Sequence, residues 1–323
     1  MANIREIAKL ANVSVTTVSR VLNHHPYVRE DKRKAVLDAI EKLNYIPNKN
    51  AINLSKGRTK MVGIILPTID HHYFSRILNG IADSAVEMDY QLVIYQSKYE
   101  IEKEMQAFKH LQERLLDGVI ILSRNLPIET ILSYKPYGPI VLCEDIHLQE
   151  IPVVSIKHDD AFKEALNFLK ENGHRKIALC LGRREGSNSE KREKVYRQTL
   201  MNWGEEVKEE WILDNCYHFQ DGERAFHTYM KMENKPTAVL VTNDQVSAGL
   251  LLACKKHPIT IPEQLALLSF DNDPIAKSLQ ITTMEIPKYL LGQEAFAAFI
   301  ELLETGKCES KILPYQLIVR ETV

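Results

Sequence analysis

The side chains best suited to catalysis or metal binding in this 323-residue sequence do not fall into the spacings such chemistry needs. The histidines include two adjacent pairs, His24/His25 and His71/His72, whereas a helical metal site takes ligands at i and i+4. Gly182-Arg183-Arg184-Glu185-Gly186 lacks the spacing of a phosphate-binding loop. Ser187 and Ser189 lack the strand–turn–helix glycine context of an activated serine. Catalysis is therefore not expected, and no cofactor or metal is implied. The chemistry that the spacing does support is base and phosphate contact. Ile4, Ile7, Ala8 and Ala11 recur at helical spacing, and Val18, Val21 and Leu22 make a second stripe from about Val15 to Asn23. Asn12, between them, tolerates a left-handed turn, and Ser14 is a good N-cap. Two short helices joined by a tight turn describe a helix-turn-helix that reads DNA.

The elements that must hold this motif follow directly. Asn23-His24-His25-Pro26 breaks the pattern, and Arg29 to Leu43 carries Ala35, Val36, Ala39, Ile40 and Leu43 at helical spacing. A third helix there closes a small three-helix core, which gives a head over residues 1–46. Pro47 favours helix entry, Asn48 can cap it and Gly57 can end it, so residues 47–59 read as a short hinge helix and linker. Two turns are marginal alone in water, which makes this stretch either a switch that orders on DNA or a plain linker. Residues 1–60 hold 12 Lys+Arg and 5 Asp+Glu, out of 41 and 43 in the whole chain. A basic head on an acidic body suggests that only the head meets a polyanion.

From Met61 onward, apolar runs alternate with helical segments. Met61–Leu66, Leu92–Tyr95, Val119–Leu122, Ile140–Cys143 and Val153–Ile156 read as buried strands, with helices at Tyr73–Met88 and Ile101–Leu115. The pattern repeats with strands Ile177–Leu181, Ala238–Thr242 and Ala266–Phe270, and with helices Asp160–Asn172, Glu190–Trp203, Asp221–Met232 and Gln245–Lys256. Alternation of this kind predicts an α/β core of two doubly wound parallel-sheet lobes, with ligands bound beyond the carboxyl ends of the strands. The five cysteines are scattered and form no CxxC pair, as befits free thiols in a reducing cytosol. No stretch approaches a membrane span and the N-terminus lacks a signal-peptide layout, so a soluble cytoplasmic protein is expected.

Val13-Ser14-Val15-Thr16-Thr17-Val18-Ser19-Arg20-Val21-Leu22-Asn23 and Tyr45-Ile46-Pro47-Asn48, with Ala51 and Leu54 beyond, resemble the lac-repressor (LacI/GalR) family of transcriptional regulators. In the body, Gly173-His174-Arg175-Lys176-Ile177, Thr242-Asn243-Asp244 and Ser269-Phe270-Asp271-Asn272 resemble that family's periplasmic-binding-protein-like core, so the likeness covers the whole chain. It implies a core at 60–323 whose lobes are discontinuous, one at about 60–157 and 288–316 and the other at about 158–287 and 317–323. It implies a DNA-binding set of Ile4, Ser14, Val15, Thr16, Thr17, Ser19, Arg20 and Asn23 in the head and Asn48, Ala51 and Leu54 in the hinge. Val15, Thr16 and Arg20 would read bases, Thr17, Ser19 and Asn23 would contact phosphates, and Leu54 would wedge into the minor groove. The alternative role for Leu54 is a core contact.

The same resemblance implies an effector set of His72, Tyr73, Phe74, Ser123, Glu144, Arg192, Tyr196, Tyr217, Asn243 and Asp271, suited to a sugar. His72, Tyr73 and Phe74 would lie in the loop after the first strand. For Asn243 and Asp271 the plain alternative is capping of the next helix or loop. The sequence departs from the family at Val195, where glycine is usual, and at Lys157-His158-Asp159-Asp160. Lys157, His158 and Arg184 would suit a phosphosugar, or else a solvated surface. His24-His25-Pro26-Tyr27-Val28 and Tyr137 to Asp145 resemble the catabolite control protein B branch. This implies control of carbon-source genes, with a phosphorylated carrier protein as the alternative controller. A homodimer on a pseudo-palindromic operator is expected, rather than a tetramer, since no leucine-heptad tail follows Val323. The rival from another class is a sugar-binding protein without DNA function.

Overall fold

The computed structural model describes residues 3–23, 25–45, 57–184 and 186–323. It divides into two compact units, Met1–Thr59 and Lys60–Val323. In the first, helix α1 (Ile4–Leu10) starts on Asn3, whose side chain accepts from the Glu6 amide while Glu6 reaches back to the Asn3 amide. Asn12 adopts φ 50°, the left-handed turn that its side chain tolerates. Helix α2 (Val15–Leu22) starts on Ser14, whose Oγ accepts from the Thr17 amide at 3.1 Å. Helix α3 (Glu30–Lys42) closes a core of Ile7, Ala8, Val18, Val21, Val36 and Ala39. The helix-turn-helix expected from the sequence is therefore present. Asn48, Ala51 and Leu54, the expected hinge contacts, lie outside the described residues.

The second unit begins with a parallel sheet ordered β2-β1-β3-β4, formed by β1 (Met61–Leu66), β2 (Gln91–Gln96), β3 (Gly118–Ile121) and β4 (Ile140–Leu142). A bridge from Leu142 to Val153 continues it to β5 (Val154–Ile156), which pairs in parallel with β11 (Lys311–Leu313). Strand alternation sends Val62, Ile64 and Leu66 to one face, under helices α4 (His72–Glu87) and α12 (Lys288–Thr305). Ile65 points to the other face, under α5 (Ile101–Gln112); the short α6 (Ile128–Ser133) lies on that side too.

A six-stranded sheet follows, ordered β12-β10-β9-β8-β6-β7 and parallel except for the β10–β12 pair. Its strands are β6 (Ile177–Cys180), β7 (Ile212–Leu213), β8 (Ala238–Val241), β9 (Ala266–Asp271), β10 (Thr282–Glu285) and β12 (Gln316–Ile318). Helices α7 (His158–Glu171) and α8 (Ser187–Asn202) cover one face through Phe162, Leu166, Tyr196 and Leu200. Helices α9 (Phe219–Lys231) and α10 (Asp244–Lys256) cover the other through Phe226, Tyr229, Leu250 and Leu251. The short α11 (Pro274–Ser278) packs on α10. The chain passes between the two sheets after β5, after β10 and after β11.

Helices α4 and α12 pack backbone to backbone. A Cβ on Gly292 would sit 2.1 Å from the Ile77 carbonyl oxygen, and one on Gly80 would sit 2.0 Å from the Tyr289 carbonyl oxygen. Neither backbone can yield cheaply. Gly292→Ala gains up to about 1 kcal/mol of helix propensity but forces the helices apart, an overpacking cost of about 1–3 kcal/mol. Urea unfolding should show a net loss of stability; a more stable variant would contradict the close crossing.

Candidate functional site

A cleft of about 140 Å³ opens at the carboxyl ends of the parallel strands of both sheets. Thr68 and His71 follow β1, Tyr99 follows β2, Ser123 and Arg124 follow β3, and His158 follows β5. From the second sheet come Arg183 after β6, Tyr217 after β7, Asn243 after β8 and Asp271 at the end of β9. Arg192 reaches in from α8, and Tyr73 and Phe74 from the first turn of α4. Tyr73 and Phe74 meet edge to face at 5.3 Å, and Phe74 tilts against His71 at 5.6 Å, which makes one wall aromatic.

Of the residues named from the sequence, Tyr73, Phe74, Ser123, Arg192, Tyr217, Asn243 and Asp271 line this cleft. Asn243 also caps α10, accepting from the Val246 amide at 2.9 Å and donating to the Cys216 carbonyl at 3.1 Å. Three residues depart from the expectation. Tyr196 is wholly buried in the second core, and its hydroxyl donates to the Ile177 carbonyl at 2.6 Å, so its ring packs rather than lines. Glu144 is buried beneath Arg124, accepting from the Arg124 amide at 3.1 Å and pairing with its Nε at 3.1 Å. Arg124 is the member of that pair that fronts the cleft. His72 does not lie in a loop but opens α4, and it turns away to Asp273, with Nδ1 2.7 Å from Oδ1. Its neighbour His71 takes the lining position and caps the helix, accepting from the Tyr73 amide at 3.3 Å.

Arg184 and Lys157 also fall outside the cleft. Arg184 is bound by Glu193 at 2.8 Å and Glu209 at 3.0 Å, and Lys157 faces Asp160 at 3.8 Å. His158 does face the cleft. Lining residues missed in the sequence include Thr68, His71, Tyr99, Arg124 and Arg183. Each sits within a few residues of a strand's carboxyl end, and that position was the available signal.

Behind Asp271 lies a buried charged group. Lys288, 5% exposed, reaches Asp273 at 2.6 Å and the Asp271 carbonyl at 2.6 Å, with the Asp271 carboxylate at 3.7 Å. Against the cost of burial, His72 and Lys288 hold the Asp273 carboxyl below its usual range. Burial and the Asp273 charge push Asp271 upward, because Lys288 stands closer to Asp273. Asp271 adopts φ 109°, a strained backbone for a non-glycine residue, which marks a site held in place by its surroundings. Burial lowers the His71 imidazole, and it lowers that of His158 to about 3, aided by Arg192 and Lys191. Both rings are therefore neutral near pH 7.

On the head, Val15, Thr16 and Arg20 are exposed along one side of α2, while Thr17 and Ser19 are half-buried. Ser14 spends its Oγ on the cap, and Asn23 donates to the Ser19 carbonyl at 2.9 Å. Ile4 packs against the three-helix core. Among the described residues no group of His, Cys, Asp or Glu side chains could hold a metal ion, and no helix is long and apolar enough to cross a membrane.

Asp244 gives a pH test of the cleft's support. Its carboxylate accepts from the Asp273 amide at 2.6 Å and the Thr283 hydroxyl at 2.9 Å, and burial raises its pKa to about 7. Folded chains then keep a proton that unfolded chains release near pH 4. Stability from this group must fall as pH rises from about 4 to about 7. In urea unfolding, Asp244→Asn should remove a slope worth on the order of 3 kcal/mol across that window. A wild-type-minus-variant difference that is flat with pH would contradict it.

Residues 3–48 match bacterial regulatory proteins of the lacI family, and residues 59–321 match the periplasmic binding proteins and sugar-binding domain of that family. The chain is 44% identical over its whole length to the whole of the uncharacterized HTH-type transcriptional regulator YkvZ of Bacillus subtilis (strain 168). It is 35% identical to catabolite control protein B of the same organism, over 93% of this chain and 95% of that protein. The lac repressor dimer bound to operator and an anti-inducer has the same fold, with a TM-score of 0.86 at 22% identity over 99% of this chain and 98% of that one. With both matched regions together spanning nearly all of its length, the chain belongs to the LacI family of DNA-binding transcriptional regulators.

Proposed function

We propose that the chain acts as a homodimer that binds a pseudo-palindromic operator and is controlled by a small polyhydroxylated effector held in the cleft. The exposed Val15-Thr16-Arg20 side of α2, in a head that matches the family, carries the reading. Arg20 pairs with a guanine edge in the major groove, while Val15 and the Thr16 methyl suit thymine methyl groups. Thr17, Ser19 and Asn23 sit where phosphates would set the register, and Leu54 is assigned the minor-groove wedge. The effector changes the relation of the two lobes and so the population of chains able to bind DNA. The likeness to catabolite control protein B favours genes of carbon-source use as targets.

Operator selection from random DNA, followed by binding at fixed salt, tests this. Arg20→Ala should cost about 1–3 kcal/mol of discrimination at one guanine position and leave the other positions readable. Unchanged affinity and unchanged preference would remove Arg20 from the groove. Operator binding that responds to no metabolite would move control to a protein co-regulator such as a phosphorylated carrier protein.

A further inference from the structure

We infer that the effector is an anionic monosaccharide, whose negative group is held by Arg183, Arg192, His158 and the first turn of α8. The inference rests on the reading of the cleft as the effector site and adds its charge.

The cleft's cations outnumber its available anions. Glu144 is taken by Arg124, and Asp271 stands beside Lys288. Arg183 and Arg192 have no carboxylate within 4.0 Å among the described residues. The Arg183 guanidinium lies 4.0 Å from the centre of the Tyr99 ring, and its buried Nε has no hydrogen-bond partner among the described residues. Among the described residues its one polar side-chain contact is a long one, 3.4 Å from Nη2 to Asn125 Oδ1. Arg192 is placed over Phe270 at 5.8 Å. Both arginines are part-buried, and the carboxylate that acts most on Arg192, Asp271, already stands beside Lys288. A bidentate anion matches a guanidinium fork better than a hydroxyl does.

Two further observations point to the same spot. His158 is 7% exposed, lines the cleft, and has a buried Nδ1 without a hydrogen-bond partner among the described residues. A buried polar atom left unpaired is costly, so a ligand group is the partner this site lacks. Helix α8 begins on Gly186, which has no side chain to cap it, and Asn188 and Ser189 of its first turn line the cleft. The open amides and the dipole of this 16-residue helix favour negative charge. At about 140 Å³ the cleft is smaller than the sites that take drug-sized ligands, which suits a single sugar ring. The aromatic wall of Tyr73 and Phe74 offers that ring a flat apolar face. A phosphate ester and a sugar carboxylate share the required chemistry.

Titration calorimetry on the full chain tests this with neutral monosaccharides, their phosphate esters and the corresponding sugar acids. An anionic member should bind at least tenfold tighter than its neutral parent, more weakly as salt rises, and the class that binds identifies phosphate or carboxylate as the source. Arg183→Gln should weaken that ligand tenfold or more and narrow its advantage over the neutral sugar. Arg192→Gln should weaken it further, with thermal unfolding confirming that each variant folds. Neutral sugars that bind as tightly as their charged counterparts would overturn the charge while leaving the cleft as the effector site. Binding that is indifferent to Arg183→Gln and Arg192→Gln, or no binding by any sugar, would overturn the charge and the cleft assignment together.

Discussion

The arrangement of the cleft depends on one buried cation. Lys288 stands at the start of α12, which packs on α4 over the first sheet, yet its ammonium lies between Asp271 and Asp273 at the end of β9 in the second. His72, at the start of α4, meets the same Asp273. Two sheets that share no strand are thus bridged by a group of charges in which Lys288, Asp271 and Asp273 are buried. Removing one member of such a group leaves a buried charge uncompensated, at a cost of about 3–5 kcal/mol. The group also fixes Asp271 in a backbone conformation it would not adopt alone, with its carbonyl bound to Lys288. A ligand that touches Asp271 therefore touches one member of a group that bridges the lobes.

The remaining geometry follows from strand direction. Parallel strands of both sheets end at the same opening, so short loops deliver side chains there without any long insertion. The close crossing of α4 and α12 through Gly80 and Gly292 positions the start of α4, which brings His71 and Tyr73 to the cleft, against the start of α12, which carries Lys288 behind it. Asp244 serves a parallel purpose in the second lobe, holding the Asp273 amide and the Thr283 hydroxyl beneath the cleft.

Most of the fold was legible because buried strands and amphipathic helices write their period into the sequence. The strand Met61–Leu66, and Ala266–Asp271 as far as Phe270, were readable from apolar runs alone. The strand Thr282–Glu285 was not, because Thr282 and Thr283 are fully buried yet polar, with their hydroxyls spent on the Arg320 amide and Asp244. The two-residue strand Ile212–Leu213 is too short to show a period. In the site, the resemblance to the family located Ser123, Tyr217, Asn243 and Asp271, and for Asn243 and Asp271 the position at a strand's end pointed the same way. Helical registers were harder to read from sequence: one turn separates Arg192, which faces the cleft, from Tyr196, which faces the core. Whether Glu144 or Arg124 fronts the cleft depends on a tertiary pairing that no local pattern records.

The account's central claim is that the cleft and the DNA-reading head are thermodynamically coupled. The direct test is reciprocal: operator affinity measured with and without a saturating cleft ligand, and ligand affinity measured with and without operator. The account predicts the same factor in both directions, between about 5 and 150. A factor of one in both directions would mean that the cleft's ligand does not govern DNA binding, and would contradict it.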